Sequence, residues 1–190
     1  MVQVAAWLLS VGLHLYSAES AQAACAGTTY TWQADAGTTS WTTNTNWDPN
    51  GQPNTNTENA IIVSDWTIPQ FPNSNISASC VEIQSGQLTA TSNARRWTIE
   101  GDYFRNLNPG SIIVPGGSRW TIQMYGSGAQ TFENVDPIPR LKIGNSTSVT
   151  FTDSFTILDR FTFTTGANTL YVDADVTIDP AATSVTIPAL

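Results

Sequence analysis

Apolar and polar residues alternate along most of this chain after residue 25. The clearest case is residues 170–179, Leu-Tyr-Val-Asp-Ala-Asp-Val-Thr-Ile-Asp, in which every even-numbered residue is apolar and the others are polar or amphipathic. Such period-two alternation predicts strands with one buried face and one wet face. No eleven-residue window in this part of the chain shows the i, i+3, i+4, i+7 spacing of a helix. The pattern therefore predicts an all-β protein.

A short motif recurs at intervals, with an apolar residue, then Thr, then a second apolar residue. Residues 96–100 read Arg-Trp-Thr-Ile-Glu, and residues 119–123 read Arg-Trp-Thr-Ile-Gln. Shorter copies lie at residues 65–68, 155–157, 161–163, 176–178 and 185–187. Spacings of this size fit the coils of a solenoid, in which like residues stack over like, with Thr outside and apolar rows inside.

We therefore predict a parallel β-helix, or β-solenoid, with an atypical N-terminal cap. Its crossovers are expected to be right-handed, as they are in nearly all parallel sheets. A Greek-key β-sandwich is the alternative, because it also combines short strands with frequent turn signals. A sandwich does not require a recurring pentapeptide, so the solenoid is the preferred interpretation.

The N-terminal residues predict export. Residues 4–15 form an apolar run typical of a signal peptide, and Ala21-Gln22-Ala23 supplies small residues for a signal peptidase. The run is too short to span a membrane, although no Lys or Arg precedes it; a buried N-terminal element is the alternative. The predicted organisation is a signal peptide over residues 1–23, an Asn-, Thr- and Trp-rich cap with the first coils over 24–72, and solenoid repeats over 73–190.

The two cysteines, Cys25 and Cys80, both lie after the predicted cleavage site. In an oxidising compartment an isolated pair predicts one disulfide. Lipidation of Cys25 is the alternative, but Gln22 stands where a lipobox prefers Leu. The chain is accordingly expected to be secreted and to work outside the cell or at the cell surface.

Charge narrows the range of partners. The formal net charge is −8, and only 12% of the residues are charged. An acidic chain repels phosphate backbones and anionic membranes, which argues against nucleic acid as a partner. The polarity comes instead from Asn, Thr, Ser and Gly, which suits the wet face of a sheet.

Residues suited to catalysis are scarce. The only histidine, His14, lies in the predicted signal peptide, so the mature chain lacks Ser-His and Cys-His pairs and the usual zinc ligands. Two carboxylate pairs, Glu100 with Asp102 and Asp173 with Asp175, have a spacing that any acidic strand also offers. With Asp179, the second pair forms an acidic row that could attract calcium, but no calcium-loop motif is present. We predict no catalytic residue, no cofactor and no metal site.

Three tryptophans are the candidate glycan-binding residues: Trp32, Trp41 and Trp47. They lie in a Thr- and Asn-rich segment, and flat aromatic faces beside amides suit sugar rings. The alternative is that they fill the end of the solenoid as core, which is the preferred interpretation. Trp97 and Trp120, within the recurring motif, are expected to face the core.

Several segments carry a resemblance to a known group of proteins. Tyr-Thr-Trp at residues 30–32 is followed by Trp41, Asn46-Trp47, Pro53 and the run at 60–63. Further matching segments lie at residues 80–89, 128–134 and 141–143. Together they resemble bacterial secreted β-helix surface proteins and adhesins. The resemblance implies a β-helix fold and a surface location, but it transfers no functional residue, and such proteins are usually far longer.

Three functions follow from these patterns. The first is an extracellular structural or adhesive surface module without catalysis, such as a fibre or stalk segment that associates end to end. The second is a carbohydrate-binding module that takes a surface glycan. The third is a polysaccharide hydrolase or lyase, which a groove gathering Arg95, Arg96, Arg119 and Glu100 would favour.

Overall fold

The computed structural model of the chain describes residues 25, 27–33, 38–63, 75–89, 95–115, 118–145, 147–164, 169–172, 176–178 and 184–186. The predicted signal peptide lies outside these residues, as do Asp173, Asp175 and Asp179. The motif copy at residues 65–68 and the domain boundary proposed after residue 72 also lie outside them. Those predictions stay predictions.

The described residues form short β-strands and one 3₁₀ turn, Asn44–Asn46. The strands in the first part of the chain are β1 Thr28–Trp32, β2 Trp47–Asp48, β3 Glu58–Ile62, β4 Ile76–Ala78, β5 Val81–Ile83, β6 Leu88–Thr89, β7 Arg96–Ile99, β8 Tyr103–Asn106 and β9 Ile112–Ile113. The later strands are β10 Thr121–Met124, β11 Ala129–Asn134, β12 Ile138–Ile143, β13 Ser148–Phe151, β14 Phe155–Phe163, β15 Thr169–Val172, β16 Val176–Ile178 and β17 Ser184–Thr186.

The strands build two long sheets and one short pair. Sheet A has the order β15-β13-β11-β8-β5-β3-β1-β2, and sheet C has the order β16-β14-β12-β10-β7-β4, with β17 also paired to β14. Sheet B is the pair β6 and β9. All pairings are parallel except β1 with β2. From β3 to β16 the chain alternates between sheets A and C, with β6 and β9 of sheet B inserted between them, which confirms the predicted β-solenoid and excludes the antiparallel β-sandwich.

Inward-facing residues of successive coils stack in register and form the core. In sheet C, neighbouring strands align Ile76, Trp97, Ile122, Leu141 and Phe161, and each is at most 7% exposed. The differences between these residue numbers show that a coil takes 19 to 25 residues on this side. Complete burial of one such side chain contributes about 1.5–3 kcal/mol, so the stacked rows supply most of the driving force for folding.

The recurring motif does not stack in the register predicted for it. Ile122 lies beside Trp97, and Trp120 precedes the strand. A slip of two residues keeps each apolar side chain on the inner face, because side chains alternate with period two. Both tryptophans are buried, as predicted. Like-on-like stacking is therefore wrong for this pair of copies, but it holds where residues 155–157 pair with residues 176–178.

Aromatic rings form a column through the core. Near the N-terminal end, Trp41 lies edge-on to Trp47 with centroids 4.6 Å apart, and it contacts Trp97 at 5.1 Å. Trp32 contacts Trp47 at 5.1 Å. The column continues through Phe104, Phe132, Phe151 and Phe155. Edge-to-face contacts of this kind add stability beyond the area that they bury.

A disulfide joins Cys25 to Cys80, as predicted, with Cα atoms 6.0 Å apart. Cys80 immediately precedes β5, whereas Cys25 precedes β1. The bridge therefore ties the start of the described chain to the third parallel strand of sheet A. Beyond β1, the order of sheet A ends at the antiparallel strand β2.

A buried carboxylate secures the turn between β8 and β9. Asp136, 4% exposed, accepts hydrogen bonds from the backbone N–H groups of Gly110 at 2.6 Å and Ile112 at 2.8 Å. The Ser111 hydroxyl and the Asn106 amide each donate to it at 3.1 Å. A buried charge is costly unless it is satisfied in this way. Asp136 thus stabilises the turn, and its oxygens are occupied by the protein itself.

Candidate functional site

The seven cationic side chains are divided unevenly between the two long sheets. Arg105 lies on sheet A. The other six lie on strands of sheet C or within two residues of one: Arg95, Arg96, Arg119, Arg140, Lys142 and Arg160. A chain with a net charge of −8 therefore carries a local cationic surface. Such a surface produces its own field and attracts anions despite the overall charge.

The outer face of sheet A carries a compensated charge cluster, here called the ionic face, made of Glu82, Tyr103, Arg105 and Glu133. The three charged residues lie at one register position on adjacent strands. The Arg105 guanidinium pairs with Glu133 and lies 4.0 Å from Glu82. The Tyr103 hydroxyl donates to Glu82 at 3.1 Å, and the guanidinium carbon of Arg105 lies 4.8 Å from the Tyr103 ring centroid. Each charge thus has partners within the face.

These contacts shift the pKa values of two groups on the ionic face. Burial, followed by the charge of Glu82 and the hydrogen bond to it, raises the pKa of Tyr103 to about 12. The hydrogen bond to Glu133 is the main cause that raises the pKa of Arg105. Neither Tyr103 nor Arg105 therefore changes charge near neutral pH, and neither is suited to general acid–base catalysis there.

The outer face of sheet C carries the second cluster, here called the basic face, made of Arg96, Arg140, Lys142 and Arg160. Arg96, Thr121, Arg140 and Arg160 align on four adjacent strands. Since adjacent strands lie about 4.8 Å apart, Arg140 and Arg160 are direct neighbours and Arg96 is roughly 10 Å from Arg140 along the column. Lys142 is two residues further along β12 and so shares the face.

A β-bulge shapes the basic face. The register between β12 and β14 shifts between positions 138 and 140, which leaves one extra residue of β14 opposite Pro139. Bulges redirect side chains and are common beside functional sites. Within this bulge, the Asp159 carboxylate accepts a hydrogen bond from Nε of Arg140. Arg140 is thereby partly neutralised, and the pair is 15% and 19% exposed.

The other three cations of the basic face lack such a partner. In the described part of the chain, no carboxylate oxygen lies within 4.0 Å of the charged nitrogens of Arg96, Lys142 or Arg160. All three line a shallow groove of about 120 Å³, together with Thr121 and Thr162. Arg96 and Arg160 are exposed. The groove therefore offers cationic donors and hydroxyl groups to solvent.

A buried amide lies in the next column of the basic face. Gln123 pairs in register with Thr98 on one side and Lys142 on the other. It is only 3% exposed, and its Oε1 accepts no hydrogen bond from the residues that the structure describes. An unsatisfied buried acceptor is costly, and because this oxygen is buried it is not open to a ligand in the groove.

An exposed aromatic ring completes the face. Tyr125 follows β10 and continues its ladder by donating its backbone N–H to the Ile99 carbonyl at 2.8 Å. Side-chain alternation places Tyr125 on the same side as Gln123, and the ring is 54% exposed. A Cβ atom added to Gly144 would lie 2.7 Å from the ring, which shows how closely the ring lies on that glycine. Glycine at position 144 thus makes room for a flat, solvent-facing aromatic platform.

The tryptophans predicted as a glycan platform lie elsewhere. Trp32, Trp41 and Trp47 are 0%, 1% and 1% exposed. The Trp41 indole donates to the Pro53 carbonyl at 3.2 Å, and the Trp47 indole donates to the Trp41 carbonyl at 2.8 Å. The preferred interpretation, that these rings fill the core, is therefore confirmed, and the glycan platform is wrong because none of the rings has an open face for a sugar.

The other candidate groups are not brought together. Gly101 separates Glu100 from Asp102 in the turn between β7 and β8, so this pair does not share a strand. The carboxylate of Asp102 lies within 4.8 Å of the sulfurs of Cys25 and Cys80, but those sulfurs are bonded to each other. They are therefore not thiolate ligands for a metal.

The arginines proposed for a lyase groove are also dispersed. Arg119 lines a separate cavity of about 280 Å³ with Asp159 and Pro139. Glu100 lies four residues along the chain from Arg96, which is roughly 13 Å in an extended strand. The groove that contains Arg96 therefore lacks Arg119 and Glu100.

Sequence reasoning missed most of the basic face. Arg140, Arg160, Gln123 and Tyr125 are far from Arg96 in the sequence, and only the strand register brings them together. The one available signal was the skewed distribution of Arg and Lys, which becomes informative only after each strand is assigned to a sheet.

A scan against protein-family models found no match, and searches of the curated proteins and of the solved structures found none either. Among the described residues, no helix is long and apolar enough to span a membrane.

Proposed function

We propose that this chain is an exported, non-catalytic β-solenoid module that serves as a structural and adhesive part of an extracellular surface. The observation that supports this most is the in-register stacking of parallel strands from β1 to β16, which builds a continuous core with two broad outer faces. Stacked coils of this kind form stiff modules with extended binding surfaces. The disulfide adds support, because such bonds persist mainly in oxidising compartments.

The resemblance to bacterial secreted β-helix surface proteins and adhesins belongs to the same proposal. The segments that carry it fall on successive strands of sheet A: residues 30–32 in β1, residues 60–62 in β3 and residues 81–83 in β5. A motif that follows consecutive coils is what a stacked fold would require of its sequence. Origin in bacteria and attachment to a cell surface are the finer parts of the proposal.

End-to-end self-association is also part of the proposal. The described strand order ends at β15 in sheet A and at β16 in sheet C. Strands of a second copy could extend both sheets, with parallel pairing to β4 in sheet C and antiparallel pairing to β2 in sheet A, as open sheet edges allow. Light scattering across a concentration series tests this. Growth in mass with concentration supports a fibre role, and a constant monomer mass contradicts it.

The main test is labelling of intact cells of the source organism with an antibody against the chain, beside a cytoplasmic protein as control. Signal on unpermeabilised cells is the expected result, and signal only after permeabilisation contradicts export. A strain that lacks the chain is then compared for attachment to surfaces. Reduced attachment supports the adhesive role, whereas unchanged attachment contradicts it.

A further inference from the structure

We propose that the basic face binds an acidic polysaccharide, a glycan with carboxylate or sulfate groups along its chain. The inference rests on the proposed adhesive function and deepens it, because it names the class of ligand and the surface that takes it. The ligand lies across the strands of sheet C, over the column that contains Arg96, Arg140 and Arg160.

The uncompensated cations of the basic face are the first feature that favours an acidic ligand. Arg96, Lys142 and Arg160 lack a carboxylate partner within 4.0 Å among the described residues, and they line one groove. Six of the seven cations lie on or near this sheet although the chain carries −8 overall. Guanidinium groups pair with carboxylate groups, and with two oxygens of a sulfate group, through two parallel hydrogen bonds. An anion is therefore the ligand that the groove favours.

The spacing of the cations is the second feature, and it separates a glycan from a nucleic acid. The column repeats with the strand separation of about 4.8 Å, and Thr121 occupies the position between Arg96 and Arg140. A nucleic-acid strand carries a phosphate about every 3.4 Å, and its dense charge would be repelled by the acidic remainder of the chain. A polysaccharide with one acidic group per sugar or per pair of sugars is less densely charged. The column therefore favours a glycan over nucleic acid.

Hydroxyl groups in the groove are the third feature that favours a sugar. Thr121 and Thr162 line the groove beside the cations. A hydroxyl group both donates and accepts hydrogen bonds, so these side chains can pair with the hydroxyl groups of a sugar while the cations pair with its acidic group. Together, the cations and the two threonines are complementary to a polyhydroxylated anion.

The exposed ring of Tyr125 is the fourth feature that favours a sugar. Tyr125 is 54% exposed and lies against Gly144, four residues along the chain from Thr121 and so roughly 13 Å from the cation column, at the margin of the basic face. An exposed ring of this kind can pack against the C–H face of a sugar while its hydroxyl remains in water. The exposed aromatic ring that the buried Trp32, Trp41 and Trp47 do not provide is thus supplied by a tyrosine beside sheet C.

The test uses the full chain, exported so that the disulfide forms, and measures binding by isothermal titration calorimetry. The probes are polygalacturonate, neutral dextran of similar length and a single-stranded oligothymidylate. Polygalacturonate is expected to bind, and dextran is expected to bind at least tenfold more weakly. In about 1 M salt, where the screening length falls to about 3 Å, the polygalacturonate signal should disappear.

Two matched pairs of variants locate the site. Arg160→Gln should weaken polygalacturonate binding about two- to fivefold, the range for one exposed ion pair. Arg119→Gln removes the same charge from another exposed arginine and should leave the affinity within twofold of the original chain. Tyr125→Ala should also weaken binding. The control is Leu107→Ala, which removes a side chain of similar exposure, 53%, and should leave the affinity unchanged.

Three outcomes would overturn the inference. One is no binding of polygalacturonate, which leaves the surface and adhesion tests of the proposed function unaffected. Another is tighter binding of oligothymidylate, which would assign the face to nucleic acid. A third is an equal loss in Arg119→Gln and Arg160→Gln, which would mean a diffuse charge effect. New reducing ends or unsaturated products from polygalacturonate would instead contradict the non-catalytic function itself.

Discussion

Arg105 on sheet A and Arg160 on sheet C both project from the outer face of a parallel sheet, but their surroundings differ. Arg105 lies between Glu82 and Glu133 on the neighbouring strands, and Tyr103 packs against its guanidinium. Arg160 has Arg140 as its register neighbour. The charges of the ionic face are satisfied within the protein, whereas on the basic face only Arg140 has a carboxylate partner among the described residues.

The difference shows that cross-strand neighbours, more than residue type, decide what a charged side chain does on a solenoid. An arginine flanked by carboxylates acts as a bridge between coils and stabilises the fold. An arginine beside another arginine, such as Arg160 beside Arg140, adds repulsion to the fold, and an anion bound there would relieve it. The basic face is therefore expected to contribute to binding, and the ionic face to stability.

The largest expected effect comes from removing the disulfide between Cys25 and Cys80. The double variant Cys25→Ser/Cys80→Ser breaks a bridge between residues that are 55 positions apart in the sequence. Loss of a native disulfide typically lowers the free energy of unfolding by about 2–5 kcal/mol. We expect the free energy of unfolding in urea to fall by about this amount. Polygalacturonate binding below the unfolding transition should persist, because the basic face lies on the other sheet. Unchanged stability would contradict the structural role of the bridge.

The same substitution, arginine to methionine, made on each face in turn separates the stabilising role of the ionic face from the binding role of the basic face. Arg105→Met leaves two partly buried carboxylates without their cation, and we expect a loss of about 1–3 kcal/mol in the free energy of unfolding. Arg160→Met, at an exposed position, should change it by no more than about 0.5 kcal/mol. Urea unfolding of both variants checks this. Equal losses would show that the two faces do not differ in the way described.

The pH dependence tests the ionic face without changing its charge near neutrality. The pKa of Tyr103 is raised to about 12 from 10.0, so the neutral phenol favours the folded state. This contribution is complete below pH 10, is lost as the pH rises to about 12, and is absent above that. We expect Tyr103→Phe to show a flatter loss of stability in this window, measured by chemical unfolding. An unaltered alkaline profile would contradict the contact with Glu82.

The smallest expected effect is a gain in the affinity of the basic face for polygalacturonate. Asp159→Asn removes the carboxylate that pairs with Arg140, so the column gains one uncompensated cation. We expect the affinity for polygalacturonate to rise about twofold, within the range for one partly exposed ion pair. Asp153→Asn, which removes an equal charge from a site beside sheet A, is the control and should have less effect. A lower affinity in Asp159→Asn would show that the pair positions Arg140 for binding.

The fold was predictable because alternation and repetition both survive in the sequence. Alternation correctly predicted that Trp97 and Ile99 face the core. It did not predict that Ile122, rather than Trp120, lies beside Trp97. A slip of two residues leaves every side chain on its own face, so an in–out pattern is compatible with either register. Because the coils vary in length from 19 to 25 residues, the cross-strand neighbours of each arginine could not be predicted from the sequence.

The candidate site was harder to predict than the fold for a related reason. The Asn- and Thr-rich segment around Trp41 resembled an exposed surface, but its polar groups are satisfied internally. Asn46, fully buried, donates through Nδ2 to the carbonyls of Thr38 and Ser40 at 3.1 and 3.0 Å. Local composition therefore left exposure open as an alternative, although the structure has the core that the preferred interpretation predicted. Tyr125 carried no local signal, because its exposure depends on the glycine at position 144 of the next coil.

The assignment of binding to sheet C is tested most directly by an NMR titration of the chain with a short oligogalacturonate. Backbone amides and arginine side-chain Nε–H groups would be followed together. The account predicts that the largest shifts occur at Arg96, Arg140 and Arg160 and along β10, with Arg105 nearly unchanged. Shifts concentrated at Arg105, or spread evenly over both sheets, would contradict the division between an ionic face that stabilises and a basic face that binds.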